Sequence, residues 1–322
     1  MSISSSRHTS LFLGLDGGGT KTRCVALNAD AKVVGQGHSA SSNRNSVGDA
    51  TARANVDAAI VDALADAHAT KAHVAAVCLG MSGVGRPADR ALVAGWMDVI
   101  LPGVAAAIYN DAIIALASGT RGRLFGIVIV SGTGMIVYGF DQNGREARTG
   151  GWGPLLGDEG GGYAIGAAVL KAVTAAVDDR GPQTALQPAL MQHLGLSQPS
   201  ELVAWAYAET GWDRIAQLAL LAAQCAEQGD PVAENIIGQA AADLAVAANA
   251  VAHRLHLDNA LFPLVLSGGN LRPGPLLDRL TQKLADSLPS AQILMPQVEP
   301  AEAAALLALQ IPNEPTTQSA NQ

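Results

Sequence analysis

The chain has 322 residues, a formal net charge of −8 and a hydrophobic fraction of 49 %. This length exceeds one typical core, so we expect two domains with a cleft between them, where small molecules commonly bind. The 20 Lys and Arg residues are spread thinly and form no basic stripe, which excludes nucleic acid as a partner. Because no run of about 18 purely apolar residues occurs, we expect no membrane span.

The three cysteines, Cys24, Cys78 and Cys225, lie far apart and form no CxxC pair. This spacing argues against a disulfide framework and against zinc or iron–sulfur ligation. The Ser-rich N-terminus lacks the apolar segment of an export signal. We therefore expect a reducing cytoplasm, with loose tails at 1–10 and 312–322.

The first half of the chain predicts elements in the order βββαβαβ, followed by one more helix. The first three strands form a meander, and the last strand ends at Asn110-Asp111. The predicted strands are 11–15, 23–27, 33–37, 74–79 and 107–109, and the predicted helices are 49–67, 88–100 and 112–117.

After Asp111 the pattern starts again, which predicts a duplicated α/β architecture with a helical insertion in the second half. The predicted strands are 124–130, 135–140, a short strand after the next turn, 262–266 and 293–295. The predicted helices are 162–177, 200–208, 212–227, 231–257, 276–288 and 301–310. We expect one domain at 11–117 plus 300–311 and a second at 118–299.

Each half contains a glycine loop after its first strand. The first runs Asp16-Gly17-Gly18-Gly19-Thr20-Lys21-Thr22 and the second Ser131-Gly132-Thr133-Gly134. Their Gly-Thr pairs are 113 residues apart, as are the polar turns that begin at Asn28 and Asp141. Without a Cβ, such loops let backbone N–H groups approach a phosphate, and threonine hydroxyls add donors.

One such loop alone is as often a plain β turn, but the matched repetition favours phosphate binding. The Walker pattern GxxxxGK[ST] is absent, and the first loop opens a hairpin instead of a helix. Neither a P-loop nor a Rossmann dinucleotide fold is therefore expected.

Three segments resemble the first phosphate, second phosphate and adenosine motifs of the actin, sugar kinase and heat-shock ATPase superfamily: 16–22, 131–134 and Leu266-Ser267-Gly268-Gly269-Asn270. Two further segments resemble the N-acetylglucosamine kinase branch, the BadF/BadG-type ATPase family. They are Ser42-Asn43-Arg44-Asn45-Ser46-Val47-Gly48 and Gly150-Gly151-Trp152-Gly153-Pro154-Leu155-Leu156-Gly157-Asp158-Glu159-Gly160.

The resemblance extends from Leu11 to Leu309 and implies duplicated actin-like ATPase (ribonuclease H-like) domains with mixed sheets that flank a nucleotide cleft. It also implies ATP and Mg²⁺ as cofactors and a homodimer. The last helix departs from the family pattern, because Ala301 and its neighbours stand where the family tends to have glycine. We expect this helix to return to the first domain.

The resemblance implies a set of nucleotide-binding residues in the three motifs: Gly17, Gly18, Gly19, Thr20, Lys21, Gly132, Thr133, Gly134, Gly268 and Gly269. Thr20 and Thr133 are expected to donate to phosphate oxygens. Asp16 is the candidate for the metal, because an unpaired carboxylate at the end of a buried strand is costly unless a cation balances it. The alternative is an aspartate that only ties down the glycine turn by hydrogen bonds.

The same resemblance makes Asp111 the base that accepts the proton of the sugar hydroxyl, whereas the sequence alone also fits a helix N-cap. The expected sugar-binding residues are Asn43, Asp111, Gly151, Trp152 and Asp158, with Asn45 and Glu159 as weaker candidates. Trp152 could instead anchor a core. Asp158 and Glu159 could be no more than a charged helix start.

The implied activity is that of an ATP-dependent kinase acting on the 6-hydroxyl of an amino sugar. N-acetylglucosamine is the first candidate, and glucosamine or another N-acetylhexosamine is next. One alternative is an activator ATPase of the acyl-CoA dehydratase type, which needs cluster-bridging cysteines. Cys24 and Cys225 lack that context. A non-catalytic sugar or nucleotide sensor is the other.

Overall fold

The computed structural model describes residues 10–208 and 211–312. The predicted tails therefore lie outside the described residues, apart from Ser10 and Pro312. The chain divides into two compact units. Unit 1 contains the residues up to Leu124 and from Pro296 onward, and unit 2 contains residues 125–295.

Unit 1 contains a five-stranded sheet in the order β3-β2-β1-β4-β5. Strands β1 to β3 form an antiparallel meander, and β4 and β5 run parallel to β1. The strands are β1 (Leu11–Gly17), β2 (Lys21–Leu27), β3 (Val33–Ala40), β4 (Val74–Met81) and β5 (Ala105–Asn110). The helices between and after them are α1 (Arg44–Val47), α2 (Asp49–Asp66), α3 (Pro87–Ile100) and α4 (Asp111–Thr120).

Unit 2 contains a second five-stranded sheet, in the order β10-β9-β6-β7-β8. Its strands are β6 (Gly126–Ser131), β7 (Met135–Phe140), β8 (Glu146–Gly150), β9 (Phe262–Ser267) and β10 (Ala291–Leu294). Strands β6 to β8 are antiparallel, and β9 and β10 are parallel to β6. Strand order and direction match those of unit 1, which confirms the predicted duplicated α/β fold with two mixed sheets.

The helices of the second half are α5 (Gly162–Val177), α6 (Leu186–Leu194), α7 (Glu201–Ala208), α8 (Trp212–Ala216), α9 (Leu218–Glu227), α10 (Pro231–Arg254), α11 (Pro275–Ser287) and α12 (Pro300–Ala308). The prediction of one helix over 212–227 was wrong, because the helix is interrupted at Gln217. Helix α6 was not predicted; Pro188 lies in its first turn, where proline is tolerated. No helix within the described residues combines the length and apolar character needed to cross a membrane.

Helix α12 packs on the unit 1 sheet. Gly14 of β1 lies so close to this helix that a Cβ there would overlap the backbone of Ala301 and Ala305. Phe12, Ile114 of α4 and Leu307 of α12 share one hydrophobic cluster on this face. The alanines of α12 therefore allow backbone-to-backbone packing, as glycine would.

Candidate active site

Two carboxylates lie at the same edge of the unit 1 sheet. Asp16 is near the carboxyl end of β1, and Asp111 directly follows β5. The parallel register aligns Asp16 with Gly80 of β4, and Gly80 with Tyr109 of β5. Because parallel strands end at one edge, the topology brings these carboxylates together where α/β proteins commonly bind ligands.

Asp111 is largely enclosed at the start of α4, and burial raises its pKa above the ordinary value. Hydrogen bonds from the Ala112 N–H and the Ser82 side chain oppose this rise. The N-cap of α4 is Asn110, whose Oδ1 accepts the Ala112 N–H at 3.0 Å. The helix therefore has a separate capping residue, although Asp111 Oδ1 also lies 3.0 Å from that N–H.

Burial raises the pKa of Asp16 to about 6, and the nearby Asp111 carboxylate contributes to the rise. Arg23, its cross-strand neighbour, and Lys21 lower that pKa in part. Within the described part of the chain, the Asp16 carboxylate accepts no hydrogen bond. The alternative role, in which Asp16 holds the glycine turn by hydrogen bonds, is therefore not supported by a hydrogen bond among the described residues.

The first glycine loop uses one N–H to close its turn and leaves two without an acceptor. Gly18 N–H donates to Lys21 O at 3.0 Å, whereas the N–H groups of Gly19 and Thr20 have no acceptor among residues 10–208 and 211–312. Thr20 and Lys21 are exposed. Gly17 is buried, and a Cβ there would meet the Ser42 hydroxyl at 2.5 Å.

Asn43 caps the short helix α1 through its side-chain oxygen Oδ1, which accepts the Asn45 N–H at 3.0 Å. That contact leaves the Asn43 amide nitrogen available as a donor. Gly83, in the loop after β4, has a φ of +79°, and a Cβ there would lie 2.9 Å from Asn45 Nδ2. Both asparagines therefore contact the loop that follows a central strand of the unit 1 sheet.

The second glycine loop repeats this pattern of used and free N–H groups. Gly132 N–H closes the turn to Gly134 O at 3.0 Å, and the N–H groups of Thr133 and Gly134 have no acceptor among the described residues. The carbonyls of Gly132 and Thr133 accept Gly162 N–H at 2.8 Å and Tyr163 N–H at 2.9 Å. The loop is thus fixed through its carbonyls while two donors stay free.

The third motif is joined directly to the second loop. Asn270 Nδ2 donates to Gly132 O at 2.7 Å and to Ser131 Oγ at 3.1 Å. Gly268 has a φ of +105°, and a Cβ there would overlap the Ser131 carbonyl. Gly269 has open space where a Cβ would stand. Gly268 therefore permits close strand packing, and Gly269 leaves room beside the backbone.

The segment from the last residue of β8 to the start of α5 has several residues with positive φ: Gly150, Gly151, Gly153, Asp158 and Gly160. Trp152 is 66 % exposed, with the Arg148 guanidinium 5.4 Å from its ring, so it does not anchor a core. Asp158 is buried and accepts Trp152 N–H at 3.1 Å. Because α5 begins only at Gly162, neither Asp158 nor Glu159 starts that helix.

Asp158 also connects the sugar segment to the second glycine loop. Its second carboxylate oxygen lies against Gly134, where a Cβ would overlap it. Glu159 belongs to different surroundings, since it lines a cavity of about 210 Å³ with Thr149 of β8 and Asp243 of α10. Of these two neighbours, only Asp158 contacts the proposed phosphate loop.

Some residues that take part in these contacts were not predicted as site residues, among them Ser82, Ser131, Asp213 and Asn270. Ser131 and Asn270 lay inside the quoted motifs, so their positions carried a signal. Asp213 lay in no motif, yet its Oδ1 accepts the Thr133 hydroxyl at 2.7 Å. Only the folded chain brings this helix start beside the loop.

The chain is similar to proteins with named activities. It is 42 % identical over 311 residues to N-acetyl-D-glucosamine kinase from Dictyostelium discoideum, covering 93 % of this chain and 98 % of that protein. It is 31 % identical to the N-acetylmuramic acid/N-acetylglucosamine kinase of Clostridium acetobutylicum, covering 92 % and 97 %. A solved structure of a candidate N-acetylglucosamine kinase from Chromobacterium violaceum matches with a TM-score of 0.76 at 26 % identity, covering 94 % and 100 %.

The BadF/BadG/BcrA/BcrD ATPase family matches residues 13–308, which include both glycine loops and the segment around Trp152. This match agrees with the family resemblance derived from the motifs. The chain therefore belongs to the BadF/BadG/BcrA/BcrD ATPase family.

Proposed function

We propose that the protein is an ATP-dependent kinase that transfers the γ-phosphoryl group to the 6-hydroxyl of an amino sugar, with N-acetylglucosamine as its substrate. The observation that carries this proposal is the near full-length identity of 42 % to the Dictyostelium kinase. The paired carboxylates of unit 1 and the free N–H groups of both glycine loops support it. Phosphoryl transfer needs donors that bind the phosphates and a group that takes the proton of the acceptor hydroxyl.

Asp111 is the base in this proposal. Burial raises its pKa, so the carboxylate holds a proton more readily than an exposed one. It takes the proton of the sugar 6-hydroxyl while that oxygen forms a bond to the γ-phosphorus. The bond from the γ-phosphorus to the β,γ-bridging oxygen breaks, and ADP leaves with that electron pair.

The nucleotide is bound through backbone donors in this proposal. Gly19 and Thr20 supply free N–H groups in unit 1, and Thr133 and Gly134 supply them in unit 2. Lys21 is exposed beside the first pair and adds positive charge. The open space at Gly269 is the proposed position of the adenosine.

The residues of unit 1 fit a magnesium ion. Asp16 has a partly buried carboxylate without a hydrogen-bond donor, and Asp111 adds a second negative charge nearby. Among the described residues no group of three or more His, Cys, Asp and Glu side chains could hold a metal alone. A pair of carboxylates suits Mg²⁺, which keeps several waters and uses one or two carboxylates plus substrate phosphates. The ion would neutralise phosphate charge.

We propose that the sugar is bound by Asn43 and Asp111 of unit 1 and by Gly151, Trp152 and Asp158 of unit 2. Asn43 Nδ2 offers a donor, because its Oδ1 already caps α1. Trp152 offers an exposed apolar ring, and its backbone N–H is hydrogen-bonded to the Asp158 carboxylate.

The substrate assignment is tested by measuring ADP release with N-acetylglucosamine, glucosamine, N-acetylmannosamine and glucose as acceptors. Turnover is expected with N-acetylglucosamine above the others, and ³¹P-coupled NMR of the product is expected to place the phosphate on C6. An absence of turnover with every hexosamine would reject the kinase. Preference for another amino sugar would reject only the substrate.

We further propose a cytoplasmic location. Cys24, Cys78 and Cys225 are buried and unpaired, which suits a reducing cytoplasm and offers no cysteines for a bridged cluster. Burial raises the pKa of the Cys78 thiol to about 12, so it is not a reactive thiolate. We also propose a homodimer, which light scattering of the purified protein would test.

A further inference from the structure

Asp213 is fixed beside the second glycine loop by a hydrogen bond that uses the only proton of the Thr133 hydroxyl. The distance from Thr133 Oγ1 to Asp213 Oδ1 is 2.7 Å. A hydroxyl that donates to a carboxylate presents only lone pairs to any other neighbour. In this arrangement Thr133 is an acceptor, not the phosphate donor that its sequence motif suggests.

The position of Asp213 is set by tight packing of its helix. The backbone of α8 lies directly against α5, because a Cβ at Gly166 would overlap Ile215 O and one at Gly162 would lie 3.1 Å from Ala216 O. The Trp212 ring also packs edge-on against Tyr163, with ring centroids 5.1 Å apart. Tyr163 in turn donates its N–H to Thr133 O. The carboxylate is therefore held by elements that also hold the loop.

A carboxylate at this place opposes the binding of a free phosphate. Thr133 and Gly134 offer free backbone N–H groups for an anion, and the negatively charged Asp213 carboxylate is hydrogen-bonded to the Thr133 hydroxyl. Two negative charges a few ångströms apart repel each other unless a cation lies between them. The combination of anion donors and a fixed carboxylate suits a phosphate that arrives with a divalent ion.

We propose that Asp213 and the Thr133 hydroxyl oxygen form an acceptor pair for the hydrated Mg²⁺ of the nucleotide. Mg²⁺ gives up its waters reluctantly, so an acceptor pair can bind the ion through its water shell. This inference rests on the use of a magnesium nucleotide proposed above. Asp213 would thus be a unit 2 residue that binds the hydrated ion, although the β6–β7 hairpin of unit 2 has no counterpart of Asp16.

The test is calorimetric ADP binding, with MgCl₂ and with EDTA, for wild type, Asp213→Asn and Thr133→Val. Asparagine keeps an oxygen that accepts the Thr133 hydroxyl but removes the charge. We expect Asp213→Asn to lower the Mg²⁺-dependent gain in ADP affinity at least about fivefold. In EDTA its ADP affinity should equal or exceed that of wild type, because a repulsion is removed. Thr133→Val should lower the same gain.

Asp286→Asn is the matched control, since it removes an exposed carboxylate from α11 of the same unit. It should leave the Mg²⁺-dependent gain unchanged. An Asp213→Asn variant with the full wild-type gain would overturn the proposal, and binding in EDTA shows in the same samples that the variant is folded. If wild type itself gains nothing from Mg²⁺, the proposed cofactor fails and this inference fails with it.

Discussion

The two units share one sheet plan but differ in the hairpin that carries the glycine loop. In each hairpin we compare the second cross-strand pair counted from the loop. This pair is Asp16–Arg23 in unit 1 and Val130–Ile136 in unit 2. The same place in the fold thus holds two charges in one unit and two apolar side chains in the other. Only unit 1 supplies a carboxylate from the hairpin itself.

The loops also differ in what holds them. In unit 1 the carbonyls of the loop accept two hydrogen bonds, from Ser82 N–H to Gly17 O at 2.8 Å and from Ser41 Oγ to Gly18 O at 3.2 Å. In unit 2, Asn270, Asp213 and the start of α5 bind the loop's carbonyls and hydroxyl. We infer that both loops offer backbone donors to phosphate, that unit 1 alone adds the two carboxylates at its sheet edge, and that unit 2 adds the hydrogen-bonded pair of Thr133 and Asp213. Four substitution experiments test this division, from the largest expected effect to the smallest.

Asp111→Asn should have the largest effect, because it removes the proposed base without removing bulk. We expect kcat to fall about 10²- to 10⁴-fold, the range for loss of a general base, while the Kd for ADP changes less than about twofold. Steady-state kinetics and calorimetry measure the two. Asp98→Asn, at an exposed position on α3, is the control and should change neither. A kcat near that of wild type would remove Asp111 from the chemistry.

Gly134→Ala tests the contact between the unit 2 loop and the sugar segment. The new Cβ would overlap the Asp158 carboxylate, so we expect KM to rise about tenfold or more for both ATP and sugar. Gly95→Ala on α3 is the control, because a Cβ at this exposed position also meets nothing within 4 Å. Equal kinetics for the two variants would show that Asp158 does not couple the segments.

Asn270→Ala removes two donors from the unit 2 loop, to Gly132 O and Ser131 Oγ. We expect a loss of about 1–2 kcal/mol in unfolding free energy and a several-fold rise in the KM for ATP, with kcat little changed. Asn249→Ala also removes two amide hydrogen bonds from unit 2, to Ala245 O and Ser287 Oγ. It should cost similar stability, which denaturant unfolding measures, but should leave KM alone. A KM effect of equal size in both variants would contradict a local role.

The smallest effect concerns the charge of Asp16 in the protein without nucleotide. Because burial and Asp111 raise its pKa from 3.8 to about 6, the stability tied to its protonated form is complete below about pH 4 and is lost as pH rises through 6. Asp16→Asn should therefore gain stability relative to wild type over this interval. We expect about 1 kcal/mol, since partial exposure screens the charges. A stability difference that is flat from pH 4 to 8 would contradict the pKa shift.

Much of the fold was predictable from the sequence, because the apolar strands and the glycine turns recur in both halves. The duplication and the family are confirmed. The predictions failed where tertiary packing decides local structure. The interruption at Gln217 lies next to the place where α8 meets the glycines of α5, and no local propensity indicates it.

The site could be predicted as far as its motifs reached. Asp16 and Asp158 belong to recognisable segments, and the family resemblance indicated Asp111, but the partners of these residues do not follow from sequence spacing. Asp213 is 80 residues from Thr133 along the chain, so only the fold brings them together. Likewise, the sequence does not indicate that the N–H groups of Gly18 and Gly132 donate to carbonyls within their own turns.

Nucleotide binding by the free N–H groups of both glycine loops is tested most directly by NMR of the backbone amides during titration with Mg²⁺-ADP. The N–H groups of Gly19, Thr20, Thr133 and Gly134 have no acceptor among the described residues, whereas those of Gly18 and Gly132 close turns. We expect the first four amides to show the large shifts and increased exchange protection, and the two turn-closing amides to change little. Shifts confined to one loop, or largest at Gly18 and Gly132, would contradict nucleotide binding by paired backbone cradles.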